Sequence, residues 1–554
     1  MTHASDRMCG LAGGLIAALT LVSVVTGEAT PYETGRPNIV IVMADDMGYS
    51  DIGCYGSEIR TPHLDELAED GVRFRQFYNT GRCCPSRASL MTGLYPHLAG
   101  MGWQAAGVPD PRPGYRGQLA DDVPTIAEVL RDAGYATYMS GKWHLTRQST
   151  VDDGPNESWP VERGFDRHFG TIPGGGSFYQ PAGLVDGTER LDHDEATWRD
   201  GEFYYTREIT RFAVERIREH ATTEGDRPFF LYIAHTAPHW PMHAPDADIE
   251  PYRGLYDVGP QVIRAQRFAR QIKLGVVDDR AALPPPDPRA KTLEEVNTRN
   301  ATKMRKTMEV YAAMVTVLDE GVGSVVDALE ETGTLKNTLI IFLSDNGGCH
   351  EGGWTGGMWT GNHGIAYGRD LAKIGSQATF PTYGGSWANA SNTPFREFKH
   401  WVHEGGISTP LIVCFPDAIP ETMRGGWIDT PGHIVDLAAT ALDAADTKLP
   451  ANFRGSQTSP LSGESLMPVL RGEPVASRDL FWEHEGNRAI RRGDWKLVAK
   501  GIDGDWELYD LSVDRTETND LARVRADLVG ELAARWTQWA EDNDVLPLGT
   551  PKRQ

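Results

Sequence analysis

From Asn38 to about Pro416, short apolar runs alternate with stretches in which apolar residues recur every three or four positions. Asn38 to Met43 reads as a buried strand, since no position in it is charged. Pro62 opens a helix with Thr61 as its cap. Val123 to Ala133 predicts a helix, Tyr135 to Met139 a strand, Phe203 to His220 an amphipathic helix and Pro228 to Ala234 a strand. Thr302 to Thr332 is one long helical stretch with two breaking points, Gly321 and Gly323. Thr338 to Leu343 and Leu411 to Phe415 are further strands. Runs such as Gly170 to Gly176 and Pro284 to Pro286 predict loops. Strand–helix alternation of this kind gives an α/β fold with a central, mostly parallel sheet flanked by helices.

The tail has a different rhythm. Arg488 to Val498 reads as a hairpin, Trp506 to Leu511 as another strand, and Asp520 to Glu541 as an amphipathic helix. The expected division is residues 36–454 as a catalytic domain and 455–554 as a smaller C-terminal α+β domain with an antiparallel sheet. No internal repeat is visible.

The polar residues that stand out lie just after the strands. The first strand runs into Asp45 and Asp46, Tyr135 to Met139 into Lys142 and His144, Pro228 to Ala234 into His239, and Thr338 to Leu343 into Asp345 and Asn346. In a parallel sheet these carboxyl ends share one edge, where α/β proteins bind ligands. Asp45, Asp46, Asp345 and Asn346 offer only oxygen, which suits a hard cation such as Ca²⁺ or Mg²⁺ better than a thiolate-type zinc site. Each residue alone has a plainer reading as a solvated turn or loop position. His235 and His243 are read as such spares.

Charge sharpens the problem. The net charge is -23 over 554 residues, which argues against nucleic acid or an anionic membrane as partner. An anionic substrate would then need local positive charge from Lys, Arg, His or a metal. The N-terminus reads as a signal peptide over residues 1–27. Arg7 supplies the positive end, Leu11 to Val25 an apolar stretch too short to span a bilayer, and Val25-Thr26-Gly27 a cleavage site. The expected location is therefore periplasmic or secreted, without stable membrane association. Beyond Cys9 there are five cysteines, Cys54, Cys83, Cys84, Cys349 and Cys414. An odd number in an exported chain leaves one unpaired, and a bridge between the adjacent Cys83 and Cys84 would be strained. One cysteine thus has a chemical task.

Gly81 to Gly93 is the most specific stretch. Pro85 fits the first turn of a helix and Gly93 its end, which places Cys83 at the N-terminus, where backbone N–H groups favour an anion. Arg87 adds a positive charge one turn on. Plain thiolate chemistry remains open at this point. The tyrosine-phosphatase spacing Cys-x5-Arg fails, because the sixth residue after Cys83 is Ser89 and after Cys84 is Leu90.

Cys83-x-Pro85-Ser86-Arg87 followed by Met91-Thr92-Gly93 resembles the signature of the formylglycine-dependent (type I) sulfatases, with Met91 where Leu is usual. The stretch from Asn38 through Asp45-Asp46, Gly141-Lys142-Trp143-His144, Pro238-His239-Trp240-Pro241, Ser344-Asp345-Asn346-Gly347, and Lys399 before Glu404-Gly405-Gly406 match the family in order. Pro394 to Lys399 looks like the bacterial arylsulfatase branch. The resemblance covers roughly residues 36–515 and implies an alkaline-phosphatase-like α/β sandwich with a small C-terminal sheet. It implies that a formylglycine-generating enzyme oxidises Cys83, not Cys84, to formylglycine (3-oxoalanine), whose hydrate attacks sulfur and then expels sulfate. It implies Ca²⁺ or Mg²⁺ held by Asp45, Asp46, Asp345, Asn346 and the modified Cys83. Lys142, Lys399 and His239 would grip sulfate, with His239 donating a proton to the leaving alcohol. His144 would serve as base and Arg87 would orient the nucleophile.

The expected substrate is a small-molecule or carbohydrate sulfate ester. Two inserts, Gly174 to Tyr179 and Cys349 to Asn392, are expected to shape its pocket; Trp354, Trp359, Tyr383 and Trp387 in the second either stack on an aryl or sugar group or pack the long loop, the packing reading being favoured for any single ring. The rival readings are a phosphodiester or phosphonate ester hydrolase of the same superfamily, a plain thiol hydrolase, and a secreted binding protein with a dead site.

Overall fold

The computed structural model describes residues 35–105, 110–191, 203–225, 227–278, 280–362 and 364–549. The signal-peptide segment lies outside the described residues, which belong to one compact unit. Within that unit a ten-stranded sheet is ordered Trp427–Ile428, Val72–Phe74, Leu411–Cys414, Thr338–Ser344, Asn38–Ala44, Phe229–Ala234, Ala136–Gly141, Arg167–Thr171, Leu184–Asp186 and Glu189–Arg190. The five strands from Thr338–Ser344 to Arg167–Thr171 are parallel neighbours. Every residue of Asn38–Ala44 and of Thr338–Ser344 is buried, as uncharged runs predict for strands covered on both faces.

Side chains alternate across the sheet, so one strand feeds two cores. Val40 and Val42 join the core beneath the helices Tyr205–Thr223 and Thr298–Glu331. Ile39, Ile41 and Met43 join the opposite core, with the helices Cys83–Thr92, Ile126–Asp132 and Val435–Ala444. No described helix is long and apolar enough to cross a membrane.

One strand read from the sequence runs against its neighbours, and three local expectations need correction. The strand Leu411–Cys414 runs antiparallel to both its neighbours. A buried apolar run carries no mark of its direction, so alternation alone could not reveal this. Gly170 and Thr171 close a strand and do not belong to the loop that follows. The helix Thr298–Glu331 is continuous over 34 residues. Its two glycines mark close packing: a Cβ at Gly321 would lie 2.4 Å from Thr210 Oγ1, and one at Gly323 2.5 Å from the His63 ring. They let neighbouring elements approach, at a helix-propensity cost of about 1 kcal/mol each. Thr61 does not cap Pro62–Asp70 through its side chain; its hydroxyl accepts from Gly53 N at 2.7 Å.

The helix start is satisfied from elsewhere. Asp319, on the long helix, accepts from Leu64 N at 2.7 Å and His63 N at 3.3 Å. Burial pushes its carboxyl up to about 7, against the lowering effect of those two N–H groups. The folded pKa lies above the ordinary 3.8. Its stabilising contribution is therefore complete below about pH 4 and is lost as pH rises toward 7. Asp319→Asn is expected to gain stability relative to the parent by about 1 kcal/mol or more between pH 5 and pH 8. Urea denaturation at the two pH values checks this; an unchanged difference would remove the titration from Asp319.

The C-terminal sheet is four antiparallel strands, Asp479–His484, Asn487–Arg492, Trp495–Ala499 and Trp506–Asp510. The helix Ala526–Asp542 covers one face through Leu532, Trp536 and Trp539. The other face packs Leu480, Trp482 and Val498 against Tyr78, Val402 and Ile407. Residue 454 sits in the turn joining the short strands Asn452–Phe453 and Ser456–Gln457. All five described cysteines are buried and unbridged.

Candidate active site

Four adjacent parallel strands end at one place on the rim. Asn38–Ala44 leads into Asp45 and Asp46, Thr338–Ser344 into Asp345 and Asn346, Ala136–Gly141 into Lys142 and His144, and Phe229–Ala234 into the loop bearing His239. The chain turns sharply there: Asp46 and His144 have φ of 64° and 60°, a region non-glycine residues occupy at a cost. The helix Cys83–Thr92 points its N-terminus at the same rim, and Gly93 ends it with φ 68° and an N–H bond back to Ser89 O. Lys399 enters ahead of Leu411–Cys414, on the antiparallel side.

These side chains are all but sealed from solvent; Asp45, Arg87, Lys142, Asp345 and Asn346 have no exposure. Burial of so many charges is tolerable only because they are paired. Lys142 Nζ lies 2.5 Å from Asp45 Oδ2. Arg87 donates from Nε and Nη2 to Asp345 Oδ2 at 3.0 and 2.8 Å, and its Nη2 is 3.8 Å from Asp45 Oδ2. Lys399 Nζ lies 2.9 Å from Asp46 Oδ1, and His239 Nε2 lies 3.4 Å from Asp46 Oδ2. Asn346 Nδ2 donates to Asp46 Oδ1 at 2.7 Å. Three carboxylates face three permanent cations.

Within this cluster of described residues, two buried oxygens stay without a hydrogen-bond partner, Asp45 Oδ1 and Asn346 Oδ1. A buried acceptor left unbonded costs about 1–3 kcal/mol, so its recurrence at one spot needs a reason. Both belong to the set of oxygen donors that the sequence singles out for a hard cation. The donor chemistry and the orphaned atoms fit such an ion.

Burial pushes the Asp45 carboxyl up, but Lys142, His239 and Arg87 together bring it below the usual carboxylate range. Asp345 goes the other way: burial and the neighbouring Asp45 charge hold it well above that range, against Arg87. The Cys83 thiol is held well below its ordinary value by a bond from Cys84, helped by Lys142 and His144 and opposed by burial. Burial lowers His144 to about 4, so its ring is neutral at pH 7.

Cys83, Cys84 and His144 cluster within 4.8 Å. His144 Nε2 lies 3.2 Å from Cys84 Sγ, while its buried Nδ1 has no partner. Gly174 is the reason the ring can sit there: a Cβ on it would come within 2.0 Å of the His144 ring. Sequence reading placed Gly174 in a loop and missed this contact, although a run of three glycines is a signal for close approach. It also missed Tyr232, whose hydroxyl accepts from Arg87 Nη1 at 3.4 Å. His235 and His243 are buried, and burial lowers them to about 3 and about 4.

The aromatic insert divides. Trp387 and Tyr383 are buried, the latter stacked on Tyr311, and Trp354 packs against Phe398. Trp359 alone of the four is exposed, at 44 %, and lies parallel to Trp240 with ring centres 5.5 Å apart.

The chain is similar to known proteins along most of its length. Residues 37–447 match the family described as sulfatase, and residues 397–539 match the one described as N-sulphoglucosamine sulphohydrolase, C-terminal. An uncharacterised sulfatase of Schizosaccharomyces pombe is 34% identical over 541 residues, covering 93% of this chain and 95% of its own. An arylsulfatase of Klebsiella aerogenes is 34% identical over 471 residues, covering 82% and 96%. The solved structure of Ps i-CgsB in complex with k-i-k-neocarrahexaose shares the fold, with a TM-score of 0.65, 24% identity and coverage of 93% and 95%.

Proposed function

Since the chain belongs to the sulfatase family and is a sulfuric ester hydrolase, we propose that it works through a formylglycine at position 83 and a divalent cation, Ca²⁺ or Mg²⁺, on aryl or carbohydrate sulfates. The observation that carries this reading is the juxtaposition of the Cys83 helix N-terminus with Asp45, Asp46, Asp345 and Asn346, two of whose buried oxygens lack partners.

Asp45, Asp46, Asp345 and Asn346 would hold the cation, together with the modified side chain at 83. When bound, the ion supplies Lewis acidity and offsets the charge of the sulfuryl oxygens. A hydrated aldehyde at 83 supplies two hydroxyls on one carbon, one to attack sulfur and one through which sulfate is expelled.

The chain's own residues do the rest. With Asp345 ionised as a cation ligand, Asp45, Asp46 and Asp345 would balance Arg87, Lys142 and Lys399, so a dication would leave the centre with an excess of about two positive charges. That excess draws in a sulfate monoester despite a net charge of -23. Lys142 and Lys399, each already aimed at an aspartate oxygen, have remaining N–H donors for sulfate oxygens. His239 stands beside Asp46 and would protonate the departing alcohol oxygen at Nε2. His144, neutral and with an unpartnered nitrogen, would accept the proton that frees sulfate. Arg87, locked to Asp345, fixes the direction in which side chain 83 leaves the helix. Oxidation of Cys83 requires a formylglycine-generating enzyme as a transient partner, and the apolar N-terminal segment fits export to the periplasm or medium.

Mass spectrometry of the peptide bearing residue 83, taken from active enzyme, tests the reading. The expected mass is that of an aldehyde or its hydrate. A free thiol at full occupancy in an active preparation would sink the formylglycine assignment and favour thiolate chemistry.

A further inference from the structure

A second polar cluster borders the cradle on its outer side, and the roles above do not use it. It is built largely from residues adjacent in sequence to the cradle: Arg82 precedes Cys83, Trp240 follows His239 and His400 follows Lys399. Glu351 joins from the insert and Glu485 from the first turn of the C-terminal sheet. Arg82 Nη1 donates to Glu485 Oε1 at 2.5 Å and lies 2.7 Å from His400 Nδ1. His400 Nδ1 is also 2.9 Å from Glu485 Oε1, and its Nε2 is 3.2 Å from Glu351 Oε1. Trp240 Nε1 donates to Glu351 Oε2 at 2.7 Å. One bonded chain thus runs from the neighbour of His239 to the neighbour of Lys399. The backbone of His400 is held at φ 88°, a strained region for a side chain of its size.

His400, His484 and Glu485 approach one another closely enough to suggest a metal site. The Arg82 guanidinium already lies against His400 Nδ1 and Glu485 Oε1. A metal cation there would meet a fixed positive charge, so that reading fails. The network reaches solvent: the side chains of Arg82, His400, Glu351 and Glu485 are 12%, 15%, 23% and 23% exposed. The flat, exposed Trp359 stacks on the Trp240 that anchors it.

We propose that Arg82, Glu351, His400 and Glu485, with the Trp359–Trp240 pair, form the subsite for the alcohol half of the ester, and that this alcohol is a hydroxyl-rich ring bearing a single sulfate. The proposal rests on the sulfatase reading above. Its chemistry follows from the groups present. A carboxylate offers about four acceptor positions. Glu351 spends one on each oxygen and Glu485 accepts through Oε1 from Arg82 and His400, so both carboxylates keep lone pairs for sugar hydroxyls. A tryptophan face suits the C–H side of a ring. Charge sets the limit on sulfation. The Arg82 guanidinium is committed to Glu485 and, through Nη2, to Gln104 Oε1 at 3.2 Å, and the His400 ring is committed to both carboxylates, so neither is left to pair a further anion. A second sulfate on the same substrate would find repulsion and no spare cation.

The test measures kcat/KM on enzyme whose residue 83 has been confirmed as aldehyde, with a panel of hexose monosulfates, a disulfated glucosamine and 4-nitrophenyl sulfate. At least one monosulfate is expected to exceed the disulfate by about tenfold or more. Glu351→Gln and Glu485→Gln are expected to lower the ratio of monosulfate to aryl sulfate kcat/KM by about tenfold, chiefly through KM, and to narrow the preference against the disulfate. Trp359→Ala, at a position 44% exposed, is expected to keep the parental circular dichroism spectrum and to raise KM for the sugar several-fold. Equal use of mono- and disulfate by the parent, or ratios unmoved by all three substitutions, would overturn the proposal. Failure of the aldehyde-bearing parent to hydrolyse any sulfate ester would instead overturn the reading it rests on.

Discussion

Replacing Cys83 with Ala should remove sulfate ester turnover by on the order of 10⁴-fold or more while leaving the fold in place. The side chain is buried at 3% exposure on the first turn of its helix, and it carries none of the hydrogen bonds that hold that helix to the sheet. Losing one sulfur atom there leaves a small cavity, worth about 1 kcal/mol or a few degrees in Tm. The helix is anchored instead by Arg87, by the bond from Thr80 N to Ser86 Oγ at 3.1 Å, and by apolar packing of Ala88, Leu90 and Met91. Circular dichroism and thermal denaturation beside an aryl sulfate assay separate the two effects. Turnover near the parental level would strip position 83 of its role. Cys84→Ala is the instructive contrast, since Cys84 Sγ accepts from Ala105 N at 3.3 Å and lies beside His144 without preceding Pro85 at the signature spacing.

Asp345→Ala should have the second large effect, and it should appear in two independent measurements. As a cation ligand, Asp345 should carry affinity for Ca²⁺ or Mg²⁺, and its loss should weaken binding by about 100-fold or more, read by calorimetric titration. As the partner of Arg87, it also neutralises a guanidinium with no solvent exposure. Removing one member of a buried pair costs about 3–5 kcal/mol, because the other is left charged in a dry site. A marked fall in Tm without added metal should accompany the weaker binding. Unchanged metal affinity would drop Asp345 from the ligand set even if the fall in Tm were seen, since the pair with Arg87 suffices to explain that fall.

The pattern of apolar runs located the central strands to within about two residues, because a strand buried on both faces must be apolar throughout. The polar groups at their ends were equally legible: where an uncharged run stops at Asp45-Asp46 or at Asp345-Asn346, the strand reaches the rim. What could not be read were relations between distant segments. Arg87 and Asp345 are 258 positions apart, and nothing in either motif announces the two hydrogen bonds that converge on Asp345 Oδ2. The cap on Pro62–Asp70 comes from Asp319, 255 positions from Leu64, so local cap statistics chose Thr61 instead. The glycines of the long helix looked like breaks because propensity is local, whereas their use is set by Thr210 and His63 on other elements. Likewise Trp354, Trp359, Tyr383 and Trp387 are equivalent as letters. Only packing separates the exposed Trp359 from the three that fill the insert.

Lys399 stands in a segment that the C-terminal sheet pins from several sides. Asn487 Nδ2 donates to His400 O at 3.1 Å, Lys500 pairs with Glu397, and Arg396 donates to Glu517 O at 2.6 Å. Lys496, with no solvent exposure, holds Glu404 at 2.9 Å and Glu517 at 2.8 Å. The ammonium that faces Asp46 is therefore positioned by residues synthesised some hundred codons after it. A ribosome that has delivered every strand of the large sheet has still not delivered a competent centre. A premature stop or frameshift ahead of Glu517 would thus remove supports of Lys399 while leaving every motif of the large sheet intact.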